Sequence, residues 1–153
     1  MALNKTYLKG RGFVLIEAVF AIFLIFTAAL IVAATLPVSN ESRNKTNLSD
    51  KAMDVAQKQI EAIRTLGFPN ANATNLAQNG LIDSPNPVSD STYSFTNSDS
   101  TVLDNPATIL PNGAGIVNIQ QLNFNIIQVI VTVTWTDQGN PETYTIGTLE
   151  ANL

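Results

Sequence analysis

The chain contains neither cysteine nor histidine. Without thiols there are no disulfide scaffolds, thiolate zinc sites, iron–sulfur clusters or cysteine nucleophiles. Without imidazole the commonest acid–base group and transition-metal ligand is missing. Charge is also scarce: Asp, Glu, Lys and Arg make up 13% of the residues, about half the usual share, beside an ordinary 45% of hydrophobic ones. Positive charge stops altogether at Arg64, whereas seven acids follow between Asp83 and Glu150. The C-terminal part therefore has no cation with which to grip phosphate, and nucleic acid is not an expected partner. No recognisable frame brings two carboxylates together for acid–base work, so no catalysis is expected. At 153 residues the chain is long enough to bury a core without cross-links.

What charge is missing elsewhere leaves one long apolar run, Phe13–Leu36, broken only by Glu17. As a helix it would extend about 36 Å, enough to cross a ~30 Å hydrocarbon core. Lys5, Lys9 and Arg11 precede it with no acid among them. The positive-inside rule then puts the N-terminus in the cytoplasm and the rest of the chain outside. A secretory signal and a plain anchor both fit this pattern. The signal reading wants a shorter apolar core and small residues after it, which Ala33-Ala34-Thr35 imitates. The anchor reading leaves an unpaired acid in the span, at a cost of about 3 kcal/mol.

The local sequence Lys9-Gly10-Arg11-Gly12-Phe13-Val14-Leu15-Ile16-Glu17 resembles the type IV prepilin processing site. That motif is a basic leader ending in glycine, then phenylalanine, three apolar residues and a glutamate. The resemblance covers residues 9–36, where leader charge, Gly12, Phe13, Glu17 and the apolar helix coincide. It implies cleavage between Gly12 and Phe13 by the prepilin peptidase, followed by N-methylation of Phe13. It also implies an assembly contact in which Glu17 of one subunit meets the Phe13 amine of its neighbour. Such a pair would set register within packed apolar helices, because a lone buried charge costs roughly 3–5 kcal/mol. A head-to-tail contact repeated without closure builds a filament.

The resemblance thus divides the chain into a leader (1–12), a membrane or filament-core helix (13–38) and an extracytoplasmic globular part (39–153). Its implied partners are the prepilin peptidase, other pilin or pseudopilin subunits through helix packing, the inner-membrane assembly platform, and membrane lipid before assembly. The implied location is the bacterial inner membrane, single-pass with a cytoplasmic N-terminus, and then the pilus or pseudopilus. Family pilins place a helix-perturbing proline within the apolar segment, but here Pro37 stands at its end. A kink or break is expected around Leu36–Asn40. Pro37 reads equally as a hinge and as the place where a membrane helix becomes a soluble one.

Beyond Pro37, Leu48, Ala52, Val55, Ala56, Ala62, Ile63 and Leu66 share one helical face, flanked by Met53 and Ile60, which predicts an amphipathic helix over 41–66. Its charged face reads either as solvated or as a subunit contact, with i,i+4 pairs expected at Glu41/Lys45 and Asp54/Lys58. Gly67-Phe68-Pro69 predicts a stop with Phe68 folded back on Ile63. Residues 67–91 read as a loop with a short turn near Thr74–Asn79, and 92–150 as a sheet. Strands are expected at Thr92–Asn97, Gly115–Gln121, Leu122–Thr136 and Glu142–Leu149, with an irregularity at Ile126/Ile127 and a turn at Asp137–Pro141. The fold class is α+β, a long N-terminal helix whose amphipathic half packs on about four antiparallel strands, as in type IV pilins.

Asp83, Asp90, Asp99 and Asp104 offer oxygen ligands for Ca2+ without EF-hand spacing, so the acidic loop reads first as solvated surface. No other metal or cofactor is expected. The absence of cysteine speaks against the major pilins that carry a C-terminal disulfide loop. The 48–68 run and the late Val-Thr strand look most like minor pilins or pseudopilins that prime assembly. The alternative function is a membrane-tethered adhesin or ligand-binding module with a pilin-type N-terminus.

Overall fold

The computed structural model describes residues 11–98 and 103–152, with side chains left aside at 11–14 and 36–40. The order of elements is α1 (Arg11–Leu66), a 3-10 turn at Phe68–Asn70, α2 (Ala73–Gln78), β1 (Thr92–Ser94), α3 (Pro106–Ile109), β2 (Ala114–Asn123), β3 (Ile126–Asp137) and β4 (Asn140–Ala151). An apolar N-terminal helix followed by a four-stranded antiparallel sheet is the α+β layout that the sequence pattern predicts. The chain divides into two compact units, one ending at Asn44 and one beginning at Lys45.

Of the kink or break expected at Leu36–Asn40, the break is corrected: α1 carries its helical assignment through Pro37. A proline removes one i→i−4 bond, and a helix with bonded turns on both sides accommodates that loss. Gly67, with φ 75° and ψ 162°, ends α1 in a conformation open to glycine, and its N–H donates to the Arg64 carbonyl at 3.0 Å. Phe68 is half-buried and packs against the core.

In the second unit, the buried face of α1 consists of Leu48, Ala52, Val55, Ala56, Ile60 and Ile63. These join Val117, Ile127, Val129, Val131, Val133 and Trp135 in one apolar cluster. β3 supplies most of the sheet side by strict alternation, its inward residues lying at every second position from Ile127 to Asp137. The 67–91 segment is less of a loop than predicted. Asn72 caps α2 by accepting the Asn75 N–H at 3.0 Å, and Leu76, Leu81 and Ile82 are buried.

All four strands run antiparallel in the order β1-β2-β3-β4. The expected strand Leu122–Thr136 is corrected at its start. Leu122 and Asn123 finish β2, Phe124 and Asn125 form the turn, and β3 begins at Ile126. The slipped alternation at Ile126/Ile127 is thus a strand boundary, with the register shift itself between Gln121 and Asn123. Of the two residues expected inward on β1, Phe95 is buried just past its end and Tyr93 is half-buried.

Gly115 lies directly under Phe95, and a Cβ added there would overlap the ring. Phe95 is 1% exposed, so the ring cannot yield without disturbing the residues packed around it. Gly115→Ala is expected to destabilise the sheet by about 1–3 kcal/mol. Urea denaturation followed through the lone tryptophan, buried Trp135, checks this; an unchanged midpoint contradicts it.

Candidate functional site

Within the first unit, Leu15–Thr35 forms one helix long and apolar enough to cross a membrane, 21 residues with a mean hydropathy of 2.7. At 1.5 Å per residue that is about 31 Å, matched to a hydrocarbon core. None of it is buried against the rest of the chain. Leu15, Phe20, Phe23, Ile25 and Ile31 are each more than 60% exposed, so this surface requires lipid or other protein around it. Thr27 donates its hydroxyl to the Phe23 and Leu24 carbonyls, both at 3.0 Å, and Thr35 donates to Val32. The hydroxyls are therefore satisfied inside the helix, and Glu17 alone offers an unmet polar group along the span.

Glu17 is exposed and has no hydrogen-bond or ion-pair partner among the described residues. Gly12 and Phe13 belong to the first turn of α1, four residues or so before it; their side chains lie outside what is described. Lys5 and Lys9 fall outside the described residues altogether. Pro37 lies within the helical assignment of α1. Gly12, Phe13, Glu17 and the span thus form a linear arrangement along one helix rather than a pocket.

The charged face of the second unit is put to a different use from the one expected. Lys45 donates to Glu142 at 2.7 Å rather than pairing with Glu41. Lys58 meets Asp54 at 2.7 Å, as its i,i+4 spacing predicts, and Asp104 at 2.8 Å. Arg64 meets Glu150 at 3.1 Å. Three cations of α1 thus answer three acids of the cation-free C-terminal part. Sequence reasoning saw the charge segregation but not this pairing, because the partners are 46 to 97 positions apart.

Donating a hydrogen bond to Glu142 raises the affinity of Lys45 for its proton, and donating to Asp104 and then to Asp54 does the same for Lys58. A raised amine adds stability that is complete below its unfolded value of 10.5 and disappears as the pH climbs through the folded one. These groups are exposed, so the contribution is small. Alkaline titration of stability should show a loss above pH 10.5 that Lys58→Met abolishes in part; identical profiles would contradict the pairing.

Among the described residues, the carboxylates of Asp83 and Asp104 in the acidic loop are engaged by the chain itself. Asp83 accepts the Ser94 hydroxyl at 2.5 Å and the Asn97 N–H at 2.9 Å, and Asp104 is taken by Lys58. Asp99 lies outside the described residues, and among those described no three carboxylates gather as ligands. Comparison with known proteins finds no matching family model, curated protein or solved structure.

Proposed function

We propose that the chain is a structural subunit of a type IV pilus or a type II secretion pseudopilus, and within that class a minor subunit that primes assembly. One observation carries the reading: a glycine–phenylalanine junction and a partnerless Glu17 stand at the head of an exposed, membrane-length apolar helix. In this reading the prepilin peptidase cuts between Gly12 and Phe13 and the new amine is methylated. The span then waits in the inner membrane until an assembly platform passes it into a filament. There the apolar side chains exchange lipid for neighbouring helices, and Glu17 pairs with the Phe13 amine of an adjacent subunit.

The deciding experiment is N-terminal sequencing and intact-mass measurement of the chain extracted from its own membranes. The expected mature protein begins at Phe13 and carries one extra methyl group. A chain that begins at Met1, or after Ala34, overturns the proposal.

A further inference from the structure

Charge is divided between the two faces of the sheet. The positions that alternate outward, away from α1, run from Ala114 to Gln120 on β2, from Ile126 to Thr136 on β3 and from Pro141 to Ala151 on β4. None of these outward positions is Asp, Glu, Lys or Arg. The acids of the three strands, Asp137, Glu142 and Glu150, stand at the other alternate positions, on the side of α1. There Lys45 answers Glu142 and Arg64 answers Glu150. Asp90, in the loop before β1, touches the margin of the outer face, where its carbonyl accepts from the Asn118 amide at 3.1 Å.

Much of the polar capacity of the outer face is already spent within it. Thr132 and Thr145, opposite each other on β3 and β4, share a hydroxyl hydrogen bond at 3.1 Å. The Asn118 amide donates to Thr92 Oγ1 at 2.8 Å as well as to the Asp90 carbonyl, which uses both of its hydrogens. Thr136 Oγ1 accepts from the Asn112 amide at 3.4 Å. Groups paired in advance lose little when water is removed from them, so covering this face carries a small desolvation penalty. Among them lie apolar side chains that gain from cover: Ile116 is 40% and Leu149 61% exposed, and Ile126 and Ile130 are half-buried.

We infer that this face docks against the same face of a second copy of the chain. Charge selects that occupant. With a net charge of −4, two copies repel wherever their acids meet, and on the outer face of β2, β3 and β4 there are none to meet. A partner chosen by opposite charge finds nothing to hold there, whereas an uncharged face is matched by its own copy. Area agrees. The three strands are 10 to 12 residues long. At ~3.3 Å per residue and ~4.8 Å between strands they offer about 14 by 40 Å, or about 1,100 Å² for the two copies together. That clears the roughly 1,000 Å² of a specific contact but not the ~1,600 Å² of a standard one, so the pair is a weak, reversible dimer. Sheets stacked in this way lie about 10 Å apart with their strands within about 30°. Because one patch meets its own copy, the contact closes at two. It draws only on the unit that begins at Lys45 and does not rest on the pilin reading.

The test is sedimentation velocity of the full chain in detergent, from micromolar to sub-millimolar concentration, where a reversible monomer–dimer equilibrium is expected. Gln128 and Thr134 stand equally far on either side of the middle of the outward row of β3. In the pair they therefore meet their counterparts whether the two strands run parallel or antiparallel. A chain with both Gln128→Lys and Thr134→Lys sets like charges against each other and should dimerise at least about tenfold more weakly, as should one with Gln128→Glu and Thr134→Glu. An equal mixture of the two should dimerise at least about tenfold more tightly than either alone. Unchanged emission from buried Trp135 certifies the fold of each variant. A chain that stays monomeric throughout overturns the inference. So does a dimer that neither pair of charges weakens, since that assigns self-association to the apolar span. A mixture no tighter than its components overturns the meeting of like faces.

Discussion

Glu17→Val is expected to leave the chain inserted, processed and folded, yet absent from assemblies. Valine removes the one unmet polar group of the span, so partition into the bilayer is preserved or slightly improved. The bond between Gly12 and Phe13 is untouched, and cleavage should proceed. Folding of the unit from Lys45 onward is unaffected because its core takes no contribution from residue 17. In the proposed assembly, what disappears is the acceptor for the neighbouring Phe13 amine, which then has to be buried alone or held out of register. Leaving that charge unpaired costs roughly 3–5 kcal/mol, enough to reduce incorporation by more than a hundredfold in an equilibrium assembly. Tagged wild-type and variant chains, expressed at equal levels, are compared for recovered partner subunits and surface filament. Equal recovery would show that Glu17 has no part in assembly.

The parts of this fold that were legible in the sequence are those with a period or a punctuation mark. Leu48 through Ile63 repeat at helical spacing, Val129 through Trp135 alternate at strand spacing, and Gly67 and Gly139 stand where a positive φ is needed. Each signal is local, and each led to the right element. Less legible were α2 and α3, six and four residues long, which have too few apolar positions to show a period. Their real signals are single capping residues: Asn72, and Asn105 followed by Pro106, both of which accept a backbone N–H. Nor could spacing reveal that Leu76 of α2, with Leu81, Ile82, Leu103 and Leu110 from irregular segments, completes the core. Gln59 is the clearest omission: the helical pattern assigns it to neither face, yet it is fully buried and donates to the Leu81 carbonyl at 2.7 Å. A side chain that ties a helix to a segment 22 positions away is visible only once the two are together.

The candidate site shows the opposite balance. Gly12, Phe13 and Glu17 were conspicuous because they form a linear motif, and a linear motif is read by a protease or a neighbouring helix without a folded pocket. The chain's own geometry adds the exposure of the span and the isolation of Glu17, both of which require other molecules to be resolved. By contrast, the pairing of Lys45, Lys58 and Arg64 with Glu142, Asp104 and Glu150 needs the folded sheet domain before it exists.

Because the span and the sheet domain draw on separate residues, a lesion in one should spare the other. Val131→Asp tests this with the largest expected loss of stability. Val131 is fully buried at the centre of β3, between Val129 and Val133 and paired with Val117 and Ile146 on either side. A carboxylate there has no hydrogen-bond donor to meet it, and an unpaired buried charge costs at least about 4 kcal/mol. Domains of this size hold only about 5–15 kcal/mol in total, so the sheet should be largely unfolded at neutral pH. Membrane insertion depends on the hydropathy of residues 15–35 and should be unchanged. The expected picture is a chain still sedimenting with membranes, with red-shifted Trp135 emission, and degraded by added protease down to a membrane-retained N-terminal fragment. Val131→Thr, which keeps the shape and introduces only a hydroxyl, should keep the protease-resistant domain at reduced stability. If Val131→Asp instead removes the chain from the membrane, or leaves the domain resistant, then the span and the sheet are not the independent modules described here.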